Sequence, residues 1–190
     1  MARKPITNTE INGYKYNRKR LIVGYDSNGE PIIKNFYGKS KSEAEEMKQA
    51  YIQMKENGIN PDLAIIPLEQ AMSDWLWNIE RYSGNKTSTF ERYEGIYRNH
   101  IENSMISKIQ VSQINKLVIQ KYYNEFLESG KSYSFIKQLH KLLSKFFRYA
   151  HSEGYILRNP LYGLKLPKTH EEDIAEEESE IDTFSYEEVK

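Results

Sequence analysis

Cysteine is absent from the 190-residue chain, which excludes a disulfide framework, a thiolate zinc site and a cysteine nucleophile. No apolar run approaches the roughly 20 residues of a membrane span. Met1 to Thr9 is polar and carries no hydrophobic signal core. There is no Gly-rich phosphate loop and no G-x-S-x-G. The four histidines, His100, His140, His151 and His170, lack metal-ligand spacings such as H-E-x-x-H. His100 and His140 fall among apolar residues of helical stretches, where a packed or surface histidine is expected. The acids of 171–180 are nearly consecutive, which suits a solvated tail better than a paired general acid and base. The residues therefore predict no active site, no metal and no cofactor. The expectation is a soluble, cytoplasmic protein with no membrane contact.

What is present is enough to fold. Hydrophobic residues make up 38% of the chain, with 7 Phe, 15 Tyr and 2 Trp, so one or two domains with a buried core are expected. The formal net charge of zero conceals a segregation. Residues 1–61 hold 11 Lys/Arg against 7 Asp/Glu, and residues 62–169 hold 15 against 10, whereas residues 170–190 hold 1 against 10. Within the basic body, residues 131–168 carry 8 Lys/Arg and one acid, Glu153. A basic body with an acidic tail points to a polyanionic partner for the body. The tail itself fits either an inert solvated linker or a regulatory competitor for the basic surfaces.

Hydropathy patterning predicts a mainly α protein with a small α+β unit at its start. Tyr14–Tyr16, Lys19–Tyr25 and Pro31–Tyr37 read as three antiparallel strands, the last two joined by an Asp26–Gly29 turn. In the middle strand the alternation places Leu21 and Val23 inward and Arg18 and Arg20 outward. A helix follows, opened by a Ser40/Glu43 capping box, carrying Ala44, Met47, Tyr51 and Met54 at helical spacing, and closed by Gly58. The stretch 59–66 is punctuated by Pro61 and holds no period, so it reads as a linker. From Pro67 the pattern is helical. Helix one carries Leu68, Met72, Trp75 and Leu76. Helix two is expected to start at Ser88 with a Ser88/Glu91 capping box. Helix three begins after Asn115, and helix four runs from about Ser132 to Gly154. Four amphipathic helices with short links predict a bundle, followed by an extended segment, 155–168.

Three constellations can bind polyanions. On helix four, Lys137, Lys141, Lys145 and Arg148 recur at spacings of 4, 4 and 3, forming one stripe with no acid four residues away. A duplex phosphate backbone would relieve that repulsion by counterion release. The stripe equally fits a solvated helix face. At the start of helix two, Lys86, Ser88 and Thr89 combine hydroxyls, a lysine and a helix N-terminus, which suits a phosphate as well as ordinary capping. Arg92 follows on the same helix. In the sheet, Tyr14, Tyr16, Arg18, Arg20 and Lys34 are expected to share the exposed face, where arginine can read guanine in a major groove. Exposed strand faces are also commonly charged without binding anything.

The order of short motifs resembles the tyrosine recombinase (phage integrase) family. In the helical half these are Trp75–Leu76; Ser88–Thr89 with Tyr93 and His100–Ile101; Ile114–Asn115 with Ile119–Gln120 and Tyr122; and Phe147–Arg148–Tyr149–Ala150 with Gly154, Asn159–Pro160 and Pro167–Lys168. In the first unit, Gly24–Tyr25, Asn28–Gly29, Phe36–Tyr37–Gly38 and Glu43–Ala44 are similar to the arm-type DNA-binding domain of conjugative-transposon and phage integrases. The resemblance implies an arm-binding domain at 1–58, a linker at 59–66 and a SAM-like four-helix core-binding domain at 67–168. An acidic linker at 169–183 and the opening of a catalytic domain at 184–190 would follow. It implies double-stranded DNA as partner, through core and arm recombination sites, and homo-oligomers on DNA in the full-length protein. The helical domain would form one side of a clamp on the DNA.

The family's catalytic set is an arginine, a lysine, an H-x-x-R pair and a tyrosine nucleophile. The residues three positions after the four histidines are Asn103, Leu143, Gly154 and Asp173. A tyrosine without its arginines cannot stabilise a pentacovalent phosphate. The resemblance therefore implies the DNA-holding half of a recombinase rather than an enzyme. A protein-interaction module that forms mixed oligomers with a full-length recombinase is the alternative.

Overall fold

A computed structural model of the chain describes residues 8–167. It divides at Pro61/Asp62 into two compact units, and the division falls within the stretch 59–66. The acidic segment 169–183 and the segment 184–190 lie outside the described residues.

The first unit is a three-stranded antiparallel sheet and a helix. Strand β1 (Thr9–Ile11) pairs with β2 (Tyr14–Tyr25), and β2 with β3 (Pro31–Gly38), in the order β1-β2-β3. The expected division of β2 is corrected: Tyr14–Tyr16 and Lys19–Tyr25 are one 12-residue strand, and the third strand precedes it. The reason is Asn12–Gly13, both at positive φ (50° and 79°), which make the tight turn joining Ile11 to its partner Tyr14. Beyond β1, the Asn8 side chain takes over the edge, accepting from the Arg18 N–H at 2.6 Å and donating to the Arg18 carbonyl at 3.2 Å.

Helix α1 (Lys41–Glu56) starts as expected: the Glu43 N–H donates to Ser40 Oγ at 3.1 Å. The Glu43 carboxylate reaches one residue further back than in a standard box and accepts from the Lys39 N–H at 2.6 Å. Past Asn57, the Gly58 N–H donates to the Lys55 carbonyl and the Ile59 N–H to that of Met54, a Schellman end. Ala44 and Tyr51 are buried against the sheet, with Tyr51 edge-on to Phe36 at 5.4 Å. Met47 and Met54, expected on that face, are exposed. Gly38 explains the closeness of strand and helix: a Cβ there would lie 2.5 Å from the Ala44 backbone nitrogen.

The second unit is helical. After the single turn α2 (Pro61–Ala64) come α3 (Leu68–Asn78), α4 (Thr87–Ile96), α5 (Lys116–Glu128) and α6 (Tyr133–Ser152). The stretch read as a linker thus contributes structure: Ala64 is buried, and Leu63 and Ile66 pack on the core. Pro67 caps α3, whose first N–H groups are satisfied by backbone rather than a side chain: Leu68 donates to the Ile109 carbonyl and Glu69 to that of Ser107. Asn115 and Ser132 cap α5 and α6 through their side chains, as the sequence predicts. Helix α4 runs into one π turn, Tyr97–Ile101, which buries Tyr97 and Ile101. The Tyr122 hydroxyl donates to the His100 carbonyl within that turn.

Helix α6 is the centre of the core. Ile136, Leu139, Leu142, Leu143, Phe146 and Phe147 are completely buried, each worth roughly 1.5–3 kcal/mol. Trp75 of α3 meets Phe146 edge-on at 5.7 Å. The segment after α6, expected to be extended, turns at 159–163 and buries Tyr155, Ile156 and Leu161 in the same core. Its apolar residues leave water only by doubling back. Among the described residues, no helix is long and apolar enough to cross a membrane.

Candidate nucleic-acid interface

Packing the apolar side of α6 inward turns its cationic stripe outward. Lys137, Lys141 and Arg148 are exposed. Arg92 of α4 is brought beside them: Arg92, Tyr93, Gln138 and Lys141 line one shallow recess of about 30 Å³. Arg92 lies over the Tyr93 ring at 5.8 Å, and the Lys137 ammonium over that of Tyr133 at 4.5 Å. Arg92 and the α6 stripe, legible separately in the sequence, therefore meet on one side of the second unit.

Lys145 behaves differently from its neighbours. Its ammonium lies 2.5 Å from Glu80 Oε1, and the Asn85 side-chain amide donates to the same oxygen at 2.6 Å. Glu80 sits in the 3-10 turn Glu80–Tyr82 and is only 2% exposed. The stripe has no acid at helical spacing, yet one acid compensates it across 65 residues of chain. Tertiary packing alone creates this contact, and no local pattern signals Glu80.

The start of α4 also differs from expectation. The helix begins at Thr87 with Lys86 as N-cap, and no side chain closes it. The Lys86 carbonyl accepts from the Thr89 and Phe90 N–H groups. Ser88 therefore lies inside the first turn rather than ahead of it, and the expected Ser88/Glu91 capping box does not form. Lys86 and Ser88 are exposed and Thr89 is half-buried. Beside them is a recess of about 440 Å³ lined by Trp77, Arg81, Asn85, Thr87, Phe90 and Glu91. The Arg81 guanidinium lies 5.3 Å from the Trp77 ring, and Trp77 meets Phe90 edge-on at 5.3 Å. Trp77 falls outside the apolar stripe of α3, and that is the trace it leaves in the sequence.

In the first unit the register decides the faces. Asn17, Lys19 and Leu21 of β2 look toward α1: the Asn17 amide donates to the Lys39 carbonyl, and Lys19 pairs with Glu45 at 2.6 Å. Tyr14, Tyr16, Arg18 and Arg20 share the opposite, open face. Lys34 is opposite Leu21 and so faces α1, its ammonium 4.8 Å from the centre of the Tyr51 ring. The expectation that Lys34 joins the arginines is corrected. The open-face partners are instead Tyr37, opposite Arg18, and Asn35, opposite Arg20.

The titratable groups of the core are structural. His140 Nδ1 is 3.1 Å from the Tyr123 hydroxyl, and burial lowers the His140 pKa while raising that of Tyr123. His100 packs against Phe135 at 4.6 Å; burial, then nearby Lys131, lowers its pKa. Both rings are held neutral near pH 7 and are aromatic packing elements.

Residues 68–127, from the first residue of α3 to the last turn of α5, match the family described as phage integrase, N-terminal SAM-like domain. Over 192 aligned residues the chain is 45% identical to a tyrosine recombinase XerC-like protein of Caldanaerobacter subterraneus subsp. tengcongensis; the alignment covers 100% of this chain and 48% of that relative. The chain thus spans about half the length of the curated relative it matches. The crystal structure of a lambda integrase dimer bound to a COC' core site superposes with a TM-score of 0.48 at 19% identity, over 89% of this chain and 47% of that one. Residues 68–127 thus belong to the phage integrase N-terminal SAM-like family, and the chain along its whole length is similar to about half of a tyrosine recombinase.

Proposed function

We propose that this chain holds double-stranded DNA for a site-specific recombinase whose strand-cleaving residues lie outside it. The observation that carries the reading is the shared surface of α4 and α6, where Arg92 and Lys141 line one recess and Lys137 and Arg148 extend the same stripe. Cations on two packed helices, spaced along about 17 Å of α6 at 1.5 Å per residue, match a run of phosphates. Lys86, Ser88 and Thr89 at the start of α4 would add phosphate contacts that position without reading sequence. In the first unit, Arg18 and Arg20, with Tyr14 and Tyr16, would engage a separate arm-type site. Two linked modules gain affinity when both sites are present on one molecule. The full-length protein would oligomerise on its recombination sites and carry out DNA integration or excision.

The test is a mobility-shift titration of the chain on random duplex across a range of salt. The expected result is binding whose logarithm falls linearly with the logarithm of salt concentration. Affinity indifferent to salt, or no binding at low salt, would refute the reading. A covalent protein–DNA adduct formed by this chain alone would refute the assignment of chemistry to residues elsewhere.

A further inference from the structure

Trp77 is the large aromatic residue of α3 that the core does not take. Leu68, Met72, Trp75 and Leu76 form the buried side of that helix, and two residues past Trp75 the side chain has turned about 200° round the axis. Trp77 is accordingly 41% exposed, an informative departure from ordinary burial. Other planar groups gather round it. Phe90 of α4 meets it edge-on at 5.3 Å. The Arg81 guanidinium lies 5.3 Å from the Trp77 ring, 5.9 Å from that of Tyr82 and 6.0 Å from that of Phe90. These contacts leave the recess of about 440 Å³ that Trp77, Arg81 and Phe90 help to line, within the roughly 300–1,000 Å³ of small-ligand sites. Glu91, Thr87 and Asn85 supply its polar lining. The Asn85 wall is held in one orientation: its side-chain amide donates to buried Glu80 at 2.6 Å and to Ser83 Oγ at 2.7 Å, and Glu80 is paired in turn with Lys145 of α6.

Resting on the reading that the chain holds duplex DNA, we propose that this recess takes one unpaired nucleobase of that DNA. Exchange of strands between two duplexes leaves bases for a time without their partners. A base out of its stack is bound by aromatic rings and guanidinium planes, with hydrogen bonds to its Watson–Crick edge. Trp77 and Arg81 are the stacking groups. The Glu91 carboxylate is an acceptor only, so it favours an edge that donates. Guanine offers its two oxygens adjacent donors, N1–H and the N2 amino group. Cytosine and adenine offer one amino group, and thymine sets a single N–H between two carbonyl oxygens, the poorest fit. No side chain caps α4, so its first turn, beside exposed Lys86, can hold the phosphate attached to the base. The cations Arg81 and Lys86 suit a base carried on a polyanion rather than an apolar protein segment.

The test compares three ligands of the full chain by fluorescence anisotropy: a random-sequence duplex, the same duplex with one bulged guanine, and the same duplex with one bulged abasic residue. The abasic bulge keeps the phosphate and the flexibility but has no base. The guanine bulge should bind about tenfold more tightly than the other two, within the worth of stacking one base on an aromatic side chain. It should also quench tryptophan emission at Trp77, since Trp75, the other tryptophan, is 3% exposed. A thymine bulge should gain less than a guanine bulge. Trp77→Ala, checked by circular dichroism for unchanged helix content, should lose the preference for a base while keeping the affinity for paired duplex. Glu91→Gln should bring guanine and thymine bulges together, because an amide both donates and accepts. Equal binding of guanine and abasic bulges, with normal salt-dependent affinity for duplex, would overturn the inference and leave the DNA-holding reading standing. A guanine preference that survived both substitutions would do the same. Absence of any DNA binding would overturn both. A Trp77→Ala change that dissolved a self-associated form of the chain without altering DNA binding would assign the recess to protein contact and overturn the inference.

Discussion

Replacing Lys145 by alanine tests whether the cationic stripe is one functional unit or two. Its ammonium is a ligand of Glu80, whose carboxylate is 2% exposed. Removing one partner of a buried pair costs about 3–5 kcal/mol, because an uncompensated charge stays behind. Two features reduce that figure. The Lys145 side chain is 36% exposed, so water screens part of the attraction, and the Asn85 amide still donates to Glu80. A cost of about 2 kcal/mol is therefore expected, between the buried and surface limits. For a helical unit of about a hundred residues, each kcal/mol shifts the melting midpoint by about 4–8 °C, so the unit should melt about 8–16 °C lower. Lys141→Ala, four residues earlier on an exposed position, should leave the melt within about 2 °C while reducing the affinity for DNA and its salt dependence. Thermal unfolding of both variants by calorimetry, and of Glu80→Gln/Lys145→Met, measures the pair. The double variant should recover most of the loss, since an amide needs no counter-charge. A Lys145→Ala protein melting with the wild type, and losing DNA affinity as Lys141→Ala does, would refute the assignment of Lys145 to Glu80.

Three further outcomes are expected. Arg92→Ala and Lys141→Ala should each lower the slope of log affinity against log salt by about one, with similar losses on unrelated sequences, as measured by fluorescence anisotropy titrations. Gly38→Ala should destabilise the first unit by about 1–3 kcal/mol, because the new Cβ meets backbone at Ala44 rather than a movable side chain; hydrogen exchange along α1 and β3 would report it, and unchanged protection there would contradict the packing argument. Acidification from pH 7.5 to 5 should destabilise the second unit. His100 and His140 have lowered pKa values in the folded chain, so the unfolded chain binds more protons, and stability fully present above about pH 6.5 is lost as pH falls from there through the lowered folded-state values. Glu69, whose pKa is lowered first by its hydrogen bond from Lys108, contributes to pH dependence only at more acidic values. His140→Gln should therefore show a smaller drop in melting midpoint over that window.

Features closed within a few residues were legible in the sequence. Ser40, Asn115 and Ser132 cap helices because a side-chain oxygen can reach an N–H three residues on, whatever the rest of the chain does. Gly58 ends α1 for an equally local reason. The apolar stripe of α6 determined both its buried side and, by exclusion, its cationic one. The Asn12–Gly13 pair is an equally local signal for the first hairpin, but the alternation of the strands alone did not use it, and the true extent of β2 came from the structure.

Tertiary structure decided the rest. Whether Lys34 stands with the arginines or against Tyr51 depends on the register of β3 against β2, and a shift of one residue reverses every side chain. Glu80 reads as one more surface acid until the turn carrying it is buried beside α6. Arg92 and Lys141 share a recess only because α4 packs on α6. Composition and periodicity give each residue an environment along its own element, but the choice of partner requires the path of the whole chain. The sequence thus determined the long helices, the capped starts of α1, α5 and α6 and the presence of an unusually basic side, while only the fold decided which cations remain on that side and which are held by an acid or a ring.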